Sequence, residues 1–413
     1  MNKLPIIPIV NLSLRLLVLI AKFFFVILLG VYLSLEEVGL YGLLVSTIGY
    51  LILLAGFNTY IIANREIVNS DYDTRHSIVA NQLKLFLISY IVLLPFLYYI
   101  YDQLNLDKIN FIVFYLLFIS EHISQEITRL LLSLGKVIES SIVIFIRLGA
   151  WCFLVAFLYN YFEAYRYLNL AIASWLSFSF MSVIVGWIFL SEFSFRKVFE
   201  EKFDWQWLKS TLVIATPLFL ATLAIKMPFF IDRQLIAKID LNILGGYVFY
   251  TGLARALTIF NDSFFLQPSL NKLLMLSSKS PKEFKFVVRN MISKMVFVCL
   301  AFTVVFWYLI PFTLSYFGKI KLLDYFYIFP YLCVLYSFQS IHNLLQVACN
   351  SLKYYKEVYV SSFIVILVFL LSIFFLYDII NVLLIIEIIS VTLLVQMLYY
   401  SSIIFVKTSD MEV

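Results

Sequence analysis

The chain has 413 residues, of which 63% are hydrophobic and 13% are charged, with a mean hydropathy of +0.97 and a formal net charge of +5. Soluble domains have about 45–50% apolar and about 25% charged residues, so this composition excludes an ordinary soluble protein. It predicts an integral membrane protein. The small positive charge gives no reason to expect a nucleic-acid partner.

Long apolar segments recur along the whole chain, and each is close to the length of about 20 residues that a membrane-spanning helix needs. They predict twelve spans, at residues 9–32, 39–63, 83–101, 109–133, 138–160, 167–190, 211–231, 245–266, 290–313, 322–349, 357–377 and 379–404. The first span begins without a small-residue cleavage site, so we expect an uncleaved first helix and no signal peptide.

A polar stretch at residues 191–210 has six predicted spans before it and six after it. The predicted domains are an N-terminal six-helix bundle at 1–190, a cytoplasmic linker at 191–210 and a C-terminal six-helix bundle at 211–413. Apolar residues recur through the linker in steps of three and four, at Phe195, Val198, Phe199, Phe203 and Trp207. This spacing is typical of an amphipathic helix on a membrane surface, and a solvated linker is the alternative.

The loops carry an orientation signal, because cytoplasmic loops of membrane proteins have an excess of Lys and Arg. With the N-terminus inside, the inner segments hold 17 of these residues, from Lys3 to Lys407. The outer loops hold six, which are Lys108, Arg166, Arg233, Lys238, Lys319 and Lys321. The sequence therefore predicts a multi-pass protein with both termini in the cytoplasm.

A short internal repeat relates the two halves. Leu35-Glu-Glu-Val-Gly-Leu-Tyr41 is similar to Leu241-Asn-Ile-Leu-Gly-Gly-Tyr247, half the chain length later. The match aligns the second span with the eighth, and so the first with the seventh. An even number of spans in each half makes the two repeats parallel, which is an architecture of membrane transporters.

Charged residues inside the predicted spans are the main functional signal, since each costs about 2.5–3.5 kcal/mol unless it faces protein or a wet cavity. The candidate substrate-binding cations are Arg15, Lys22, Arg147, Lys226 and Arg255. The candidate ion-coupling acids are Glu121, Glu126, Asp262 and Glu387. An amide stripe at Gln339, Asn343 and Gln346 supplies candidate sugar contacts.

Each of these groups has a structural alternative. Glu126 and Arg129 could neutralise one another, and so could Arg255 and Asp262. Arg15 could extend to the membrane interface. The amide stripe could join neighbouring helices. Cations nevertheless outnumber acids within the spans, which favours an anionic solute over a cationic drug.

No catalytic or metal-binding motif accompanies these residues. The sequence contains no phosphate-binding Gly-rich loop, no GxSxG, no HExxH and no Cys/His cluster. The four cysteines lie in apolar segments without ligand spacing. Glu36 and Glu37 would lie in the first outer loop, where some lipid-linked-sugar glycosyltransferases carry a catalytic acid, but this loop is only a few residues long. We therefore expect a transporter without a cofactor, and not an enzyme.

Several short motifs resemble the Wzx-type polysaccharide-unit flippases. In the first half these are Leu33-Ser-Leu-Glu-Glu-Val-Gly-Leu-Tyr-Gly42, Ala55-Gly-Phe-Asn58 and Asn64-Arg-Glu-Ile67. In the second half they are Ile231-Asp-Arg233, Gly245-Gly-Tyr247 and Gln267-Pro268. Ser34 stands where that family usually has proline.

The resemblance implies the fold of the multidrug/oligosaccharidyl-lipid/polysaccharide exporter superfamily, an all-α membrane protein with two parallel-repeat six-helix bundles forming a V around a central cavity. It implies a substrate that is an undecaprenyl-diphosphate-linked oligosaccharide, flipped across the bacterial inner membrane for O-antigen, lipopolysaccharide or capsule-type polysaccharide. Membrane lipids, a polysaccharide polymerase and a chain-length regulator would be partners. The alternatives are an ion-coupled small-molecule exporter of the same fold and a membrane polysaccharide polymerase, which would be expected to carry a long outer loop.

Overall fold

The computed structural model describes residues 6–104, 106–193 and 195–405, which are mainly helical and contain no strand. These residues form two compact units, Met1–Leu223 and Ala224–Val413. Lys3 and Lys407, which contributed to the predicted orientation, lie outside the described residues.

The first unit is built around one central helix. Its helices are α1 (Ile6–Tyr32), α2 (Leu35–Gly56), α3 (Tyr60–Asn69), α4 (Tyr72–Gln103), α5 (Phe111–Ser133), α6 (Val137–Phe145), α7 (Trp151–Tyr161), α8 (Leu168–Phe189), α9 (Phe195–Glu200) and most of α10 (Trp205–Lys226). A π-helical segment at Ile146–Ala150 joins α6 to α7. The central helix is α5, which packs against α2, α3, α4, α6 and α8.

The second unit has a central helix in the corresponding place. Its helices after α10 are α11 (Pro228–Ile239), α12 (Leu241–Ala254), α13 (Ala256–Asn261), α14 (Gln267–Lys279), α15 (Pro281–Tyr316), α16 (Ile320–Leu323), α17 (Phe329–Ser351), α18 (Tyr355–Leu376) and α19 (Val382–Phe405). A π-helical segment at Asp262–Leu266 joins α13 to α14. Here α17 is central, since it packs against α12 to α15, α18 and α19.

The predicted all-α membrane fold is confirmed. Ten helical segments among the described residues are long and apolar enough to cross a membrane, and they match ten of the twelve predicted spans. The other two predicted spans correspond to α5 and α17, which are 23 residues each. Helix α5 carries Glu121, Glu126 and Arg129, and α17 carries the amide stripe. Neighbouring helices cover both on several sides. Polar residues are tolerated there because they face protein and not lipid.

The repeated motif forms the first turn of a helix in each unit, four residues earlier than the predicted span starts. The Ser34 hydroxyl accepts a hydrogen bond from the Glu37 amide at 3.3 Å, and the Glu37 carboxylate accepts one from the Ser34 amide at 3.1 Å. In the second unit, Asp240 caps α12 by accepting from the Asn242 amide at 2.5 Å. These caps satisfy backbone donors at the helix starts, so both helices begin directly after the capping residue.

The two central helices, α5 and α17, end in the same kind of backbone turn. Each central helix ends in a left-handed residue, Gly135 at φ 77° in the first unit and Lys353 at φ 65° in the second. In both turns the following amide bonds the carbonyl five residues earlier, Lys136 to Leu131 and Tyr354 to Cys349. This is the Schellman geometry for ending a helix, and α15 ends in the same way at Gly318.

The predicted linker packs against the first unit and does not form one continuous amphipathic helix. Helix α9 ends at Glu200, and the Asp204 carboxylate then caps α10 through the Trp207 amide at 2.9 Å. Val198 is buried in an apolar cluster with Leu190. The Trp207 indole donates to Glu66 at 2.7 Å. The side chains of Phe195 and Phe199 lie outside the described residues.

The end of the seventh span also differs from the prediction. After a break at Met227 the chain continues as α11, which runs to Ile239. Arg233 and Lys238, assigned to an outer loop, therefore belong to a helix. Asp232 of this helix is fully buried and accepts a hydrogen bond from the Tyr247 hydroxyl at 2.6 Å. Because Tyr247 satisfies this carboxylate, the helix can continue beyond the apolar segment.

Two glycines inside helices give a matched test of the second unit's packing. A Cβ on Gly246 of α12 would lie 2.6 Å from Cγ and 2.7 Å from Cβ of Tyr325, whereas a Cβ on Gly49 of α2 would meet nothing within 4 Å. We expect Gly246→Ala to destabilise the protein by about 1–3 kcal/mol through overpacking. Gly49→Ala should stabilise it by up to about 1 kcal/mol through helix propensity. Thermal unfolding in detergent measures both, and equal melting temperatures would contradict the close approach of Tyr325.

Candidate functional site

Two of the predicted cations lie at helix interruptions in the second unit. Lys226 is the last residue of α10, directly before the break at Met227, and Arg255 lies between α12 and α13. Both side chains are exposed, and Arg255 is close enough to Lys226 to act on it electrostatically. Broken helices are tolerated at membrane depth where they line a cavity or bury against protein, and they commonly form transporter binding sites.

Two further predicted cations lie on the exposed face of the first helix. Arg15 and Lys22 of α1 are both exposed. The Arg15 guanidinium donates to the Asn11 side-chain oxygen at 3.1 Å, and the Ser141 hydroxyl of α6 donates to the same oxygen. Lys22 lies near Cys152 of α7. The first and seventh spans, which the repeat relates, thus each carry an exposed lysine.

Arg147 differs from the other cations because it is buried inside the first unit. It lies in the π-helical segment, is 8% exposed, and its guanidinium is 3.9 Å from the Glu121 carboxylate. Glu121 also accepts hydrogen bonds from the Trp175 indole at 2.7 Å and the Ser179 hydroxyl at 2.5 Å. The carboxylate is therefore neutralised and hydrogen-bonded within the unit. This geometry favours a structural role for both residues.

Glu126 and Arg129 form the ion pair that the sequence offered as an alternative. The pair has further neighbours, of which the sequence indicated only His122, on the same helical stripe. Arg129 lies 3.7 Å above the ring of Tyr60 in α3, and the His122 Nε2 atom lies 3.9 Å from the Glu126 carboxylate. The Tyr90 hydroxyl of α4 is 2.6 Å from His122 Nδ1. The i, i+4 spacing of His122 and Glu126 was the available signal, but Tyr60 and Tyr90 come from other helices.

The second unit brings one predicted acid to the amide stripe. Asp262, at the start of the π-helical segment, accepts a hydrogen bond from Asn343 at 3.3 Å. Gln339 and Gln346 lie with Asn343 along α17 and are half-buried. Among the described residues, no ion pair joins Asp262 to a cation, so the Arg255–Asp262 pair that the sequence left as an alternative does not form.

Glu387 lies apart from these contacts on an exposed side of α19. Its ion-coupling role and the roles of the other candidate residues remain predictions.

Comparison with known proteins connects this arrangement to membrane transporters through structure alone. No family model and no curated protein matches the sequence. The fold is similar to the inward closed conformation of the lipid II flippase MurJ, with 13% identity and a TM-score of 0.69, over 95% of this chain and 87% of that chain. It is equally similar to the inward-facing conformation of a multidrug resistance MATE family transporter of the MOP superfamily, with 14% identity and a TM-score of 0.70, over 96% and 98%.

The chain has the fold of MOP-superfamily transporters. An outward-facing structure of such a MATE transporter also matches, with 15% identity and a TM-score of 0.55, over 95% of this chain and 92% of that one. Identities this low show the MOP fold and leave the substrate to be argued from the residues. The predicted membrane fold is therefore found, while membership of the superfamily and of its Wzx branch stays a prediction.

Proposed function

We propose that the protein is a flippase that moves an undecaprenyl-diphosphate-linked oligosaccharide from the cytoplasmic to the outer leaflet of the bacterial inner membrane. The observation that carries the proposal is the exposure of Arg15, Lys22, Lys226 and Arg255 on or between membrane helices. Facing lipid would be costly for each of them, so we infer that they face water or an anionic ligand. Similarity to a structure described as a lipid II flippase supports a lipid-linked substrate.

The chemistry of these side chains suits a diphosphate attached to a sugar. A lysine ammonium is a compact charge with three donors, and an arginine guanidinium can hold phosphate oxygens in a bidentate arrangement. The amides at Gln339, Asn343 and Gln346 both donate and accept hydrogen bonds, as sugar hydroxyls require. The lipid tail would stay in the bilayer while alternating access exposes the head group to one leaflet at a time. No bond in the substrate changes, so no catalytic residue is needed.

A second candidate function is export of a small molecule by ion coupling, which the similarity to a MATE transporter supports. The exposed cations argue against a cationic drug as that molecule. In the flippase proposal both termini are cytoplasmic, and the polysaccharide polymerase and chain-length regulator are downstream partners.

Reconstitution separates the two functions. The full chain is placed in liposomes with an undecaprenyl-diphosphate oligosaccharide whose sugar carries a dithionite-sensitive fluorophore. We expect external dithionite to quench more than the outer-leaflet fraction when the protein is present, and only that fraction in empty liposomes. Parallel liposomes loaded with ethidium test cationic drug export. Ethidium efflux without movement of the labelled oligosaccharide would overturn the flippase proposal.

A further inference from the structure

Polar side chains of α3, α4 and α5 contact one another in the first unit, beside the end of α2. We call Tyr60, Tyr90, His122, Glu126 and Arg129 the histidine cluster. It runs from the Tyr90 hydroxyl to His122 Nδ1 at 2.6 Å, and from His122 Nε2 to the Glu126 carboxylate at 3.9 Å. The Glu126–Arg129 ion pair and the Arg129–Tyr60 contact complete it. Of these five residues, the sequence assigned a candidate role to Glu126 alone, as an ion-coupling acid.

His122 is the unusual member of the histidine cluster. It is 1% exposed, and its Nε2 atom makes no hydrogen bond with the described residues. Burying a polar atom without a partner costs about 1–3 kcal/mol, so such atoms are rare and call for an explanation. Glu126 is near enough that a small movement would close the 3.9 Å gap. We therefore infer that His122 Nε2 and the Glu126 carboxylate form a hydrogen bond in another state of the protein.

Gly56 keeps this space open. A Cβ on Gly56 would lie 2.9 Å from His122 Nε2 and 3.6 Å from a Glu126 carboxylate oxygen. Any larger residue at the end of α2 would thus press on the two atoms that approach one another.

The histidine cluster adjoins a backbone break that contacts α10. Helix α2 ends at Gly56, and Phe57 and Asn58 are both left-handed, with φ 47° and 54°. The Asn58 amide group donates to the Thr222 hydroxyl at 2.8 Å and lies 3.4 Å from the Leu218 carbonyl. Interrupted membrane helices are common sites of ion binding in transporters. A change of charge in the cluster can reach α10 through Tyr60 and this break.

The other charged and titratable groups around His122 leave Glu126 as the proton acceptor. Arg147 acts electrostatically on Glu126 but forms its ion pair with Glu121. The Glu121 carboxylate also accepts hydrogen bonds from Trp175 and Ser179. Arg129 stays charged, and α4 contributes Tyr90. Glu126 has one arginine partner and one histidine with a free nitrogen.

We propose that Glu126 and His122 together bind the proton that couples transport to the proton gradient, an inference that rests on the proposed function. In the empty state the Glu126 carboxylate pairs with Arg129 and faces an Nε2–H of His122, while the Tyr90 hydroxyl donates to Nδ1. One proton then binds Glu126, whose O–H donates to Nε2. The single imidazole proton moves to Nδ1 and donates to the Tyr90 oxygen. The histidine stays neutral, the cluster gains one positive charge, and Arg129 loses its anionic partner.

Nitrogen NMR of the full chain in nanodiscs tests the site without any substrate. The chain has three histidines, so ¹⁵N-imidazole labelling yields three pairs of signals, and His76→Asn and His342→Asn assign His122 by elimination. We expect His122 to change from the Nε2–H to the Nδ1–H form as the pH falls. Glu126→Gln should remain in the Nδ1–H form at every pH, because its carboxamide donates to Nε2 permanently. Glu139→Gln, at a half-buried position on α6 of the same unit, is the matched control and should keep the change.

Liposome transport then separates this inference from the proposed function. An inward-directed or outward-directed proton gradient should alter the rate of labelled oligosaccharide movement by the wild type, and Glu126→Gln should lose that response. A His122 tautomer that ignores pH, or that changes equally in Glu126→Gln, overturns the proton site even if the oligosaccharide moves. If the tautomer depends on pH but no oligosaccharide moves, the proton-site inference is retained and the flippase proposal is refuted.

Discussion

Lys226→Glu is expected to abolish movement of a diphosphate-linked oligosaccharide while the protein still inserts at wild-type levels. Lys226 is exposed where α10 breaks, and Arg255 acts on the same region. The reversed charge would repel a diphosphate that the lysine attracts. Unit charges about 4 Å apart interact by about 4 kcal/mol at an effective dielectric of 20, which corresponds to roughly a thousandfold change in binding.

The first half of the chain gives the corresponding variant. Lys22→Glu should cause the same loss, because Lys22 lies on the exposed face of the repeat-related helix α1. Lys22→Gln and Lys226→Gln should be milder, since they remove attraction without adding repulsion. Lys272→Glu, at an exposed position on α14, is the matched control for charge reversal. Dithionite accessibility and surface polysaccharide in complemented cells measure the effect. Wild-type transport by both reversed variants at matched protein levels would refute the cation site.

Arg147→Met should lower the free energy of unfolding by about 3–5 kcal/mol, since removing one partner of a buried pair leaves the other charge uncompensated. The stranded group is Glu121, buried with its carboxylate 3.9 Å from the guanidinium. Methionine keeps an unbranched side chain in the same space, so the loss of charge dominates the effect. Denaturant unfolding followed by tryptophan fluorescence measures it, and Trp175 hydrogen-bonds to Glu121 directly.

The double variant Arg147→Met/Glu121→Gln distinguishes a structural pair from a substrate contact. Removing both charges should restore most of the stability, because neither partner is left alone. Transport by the double variant should recover with its stability. If Arg147→Met is as stable as the wild type but fails to move substrate, Arg147 is a substrate cation and its structural assignment is wrong.

The sequence by itself determined the class of the protein and most of its helices. Apolar length and the rarity of charge within it are local properties, so the all-α membrane fold and the spans followed directly. The motif that ends at Tyr41 and recurs at Tyr247 predicted the relation between the halves. Charged residues within the spans indicated the candidate site, because placing a charge in lipid costs free energy whichever residues are its partners.

Only the tertiary structure decided which charges are exposed and which are enclosed. Arg147 and Lys226 are both cations within predicted spans. In the structure Arg147 is buried beside Glu121, whereas Lys226 lies at the end of a broken helix. The partners responsible are distant in the chain, as with Glu121 and Trp175, or Asn58 and Thr222. Helix breaks and π-helical segments likewise depend on packing between helices, which no local pattern of apolar residues encodes. The free energy of a charge is set by these neighbours, so its role could be assigned only once they were in place.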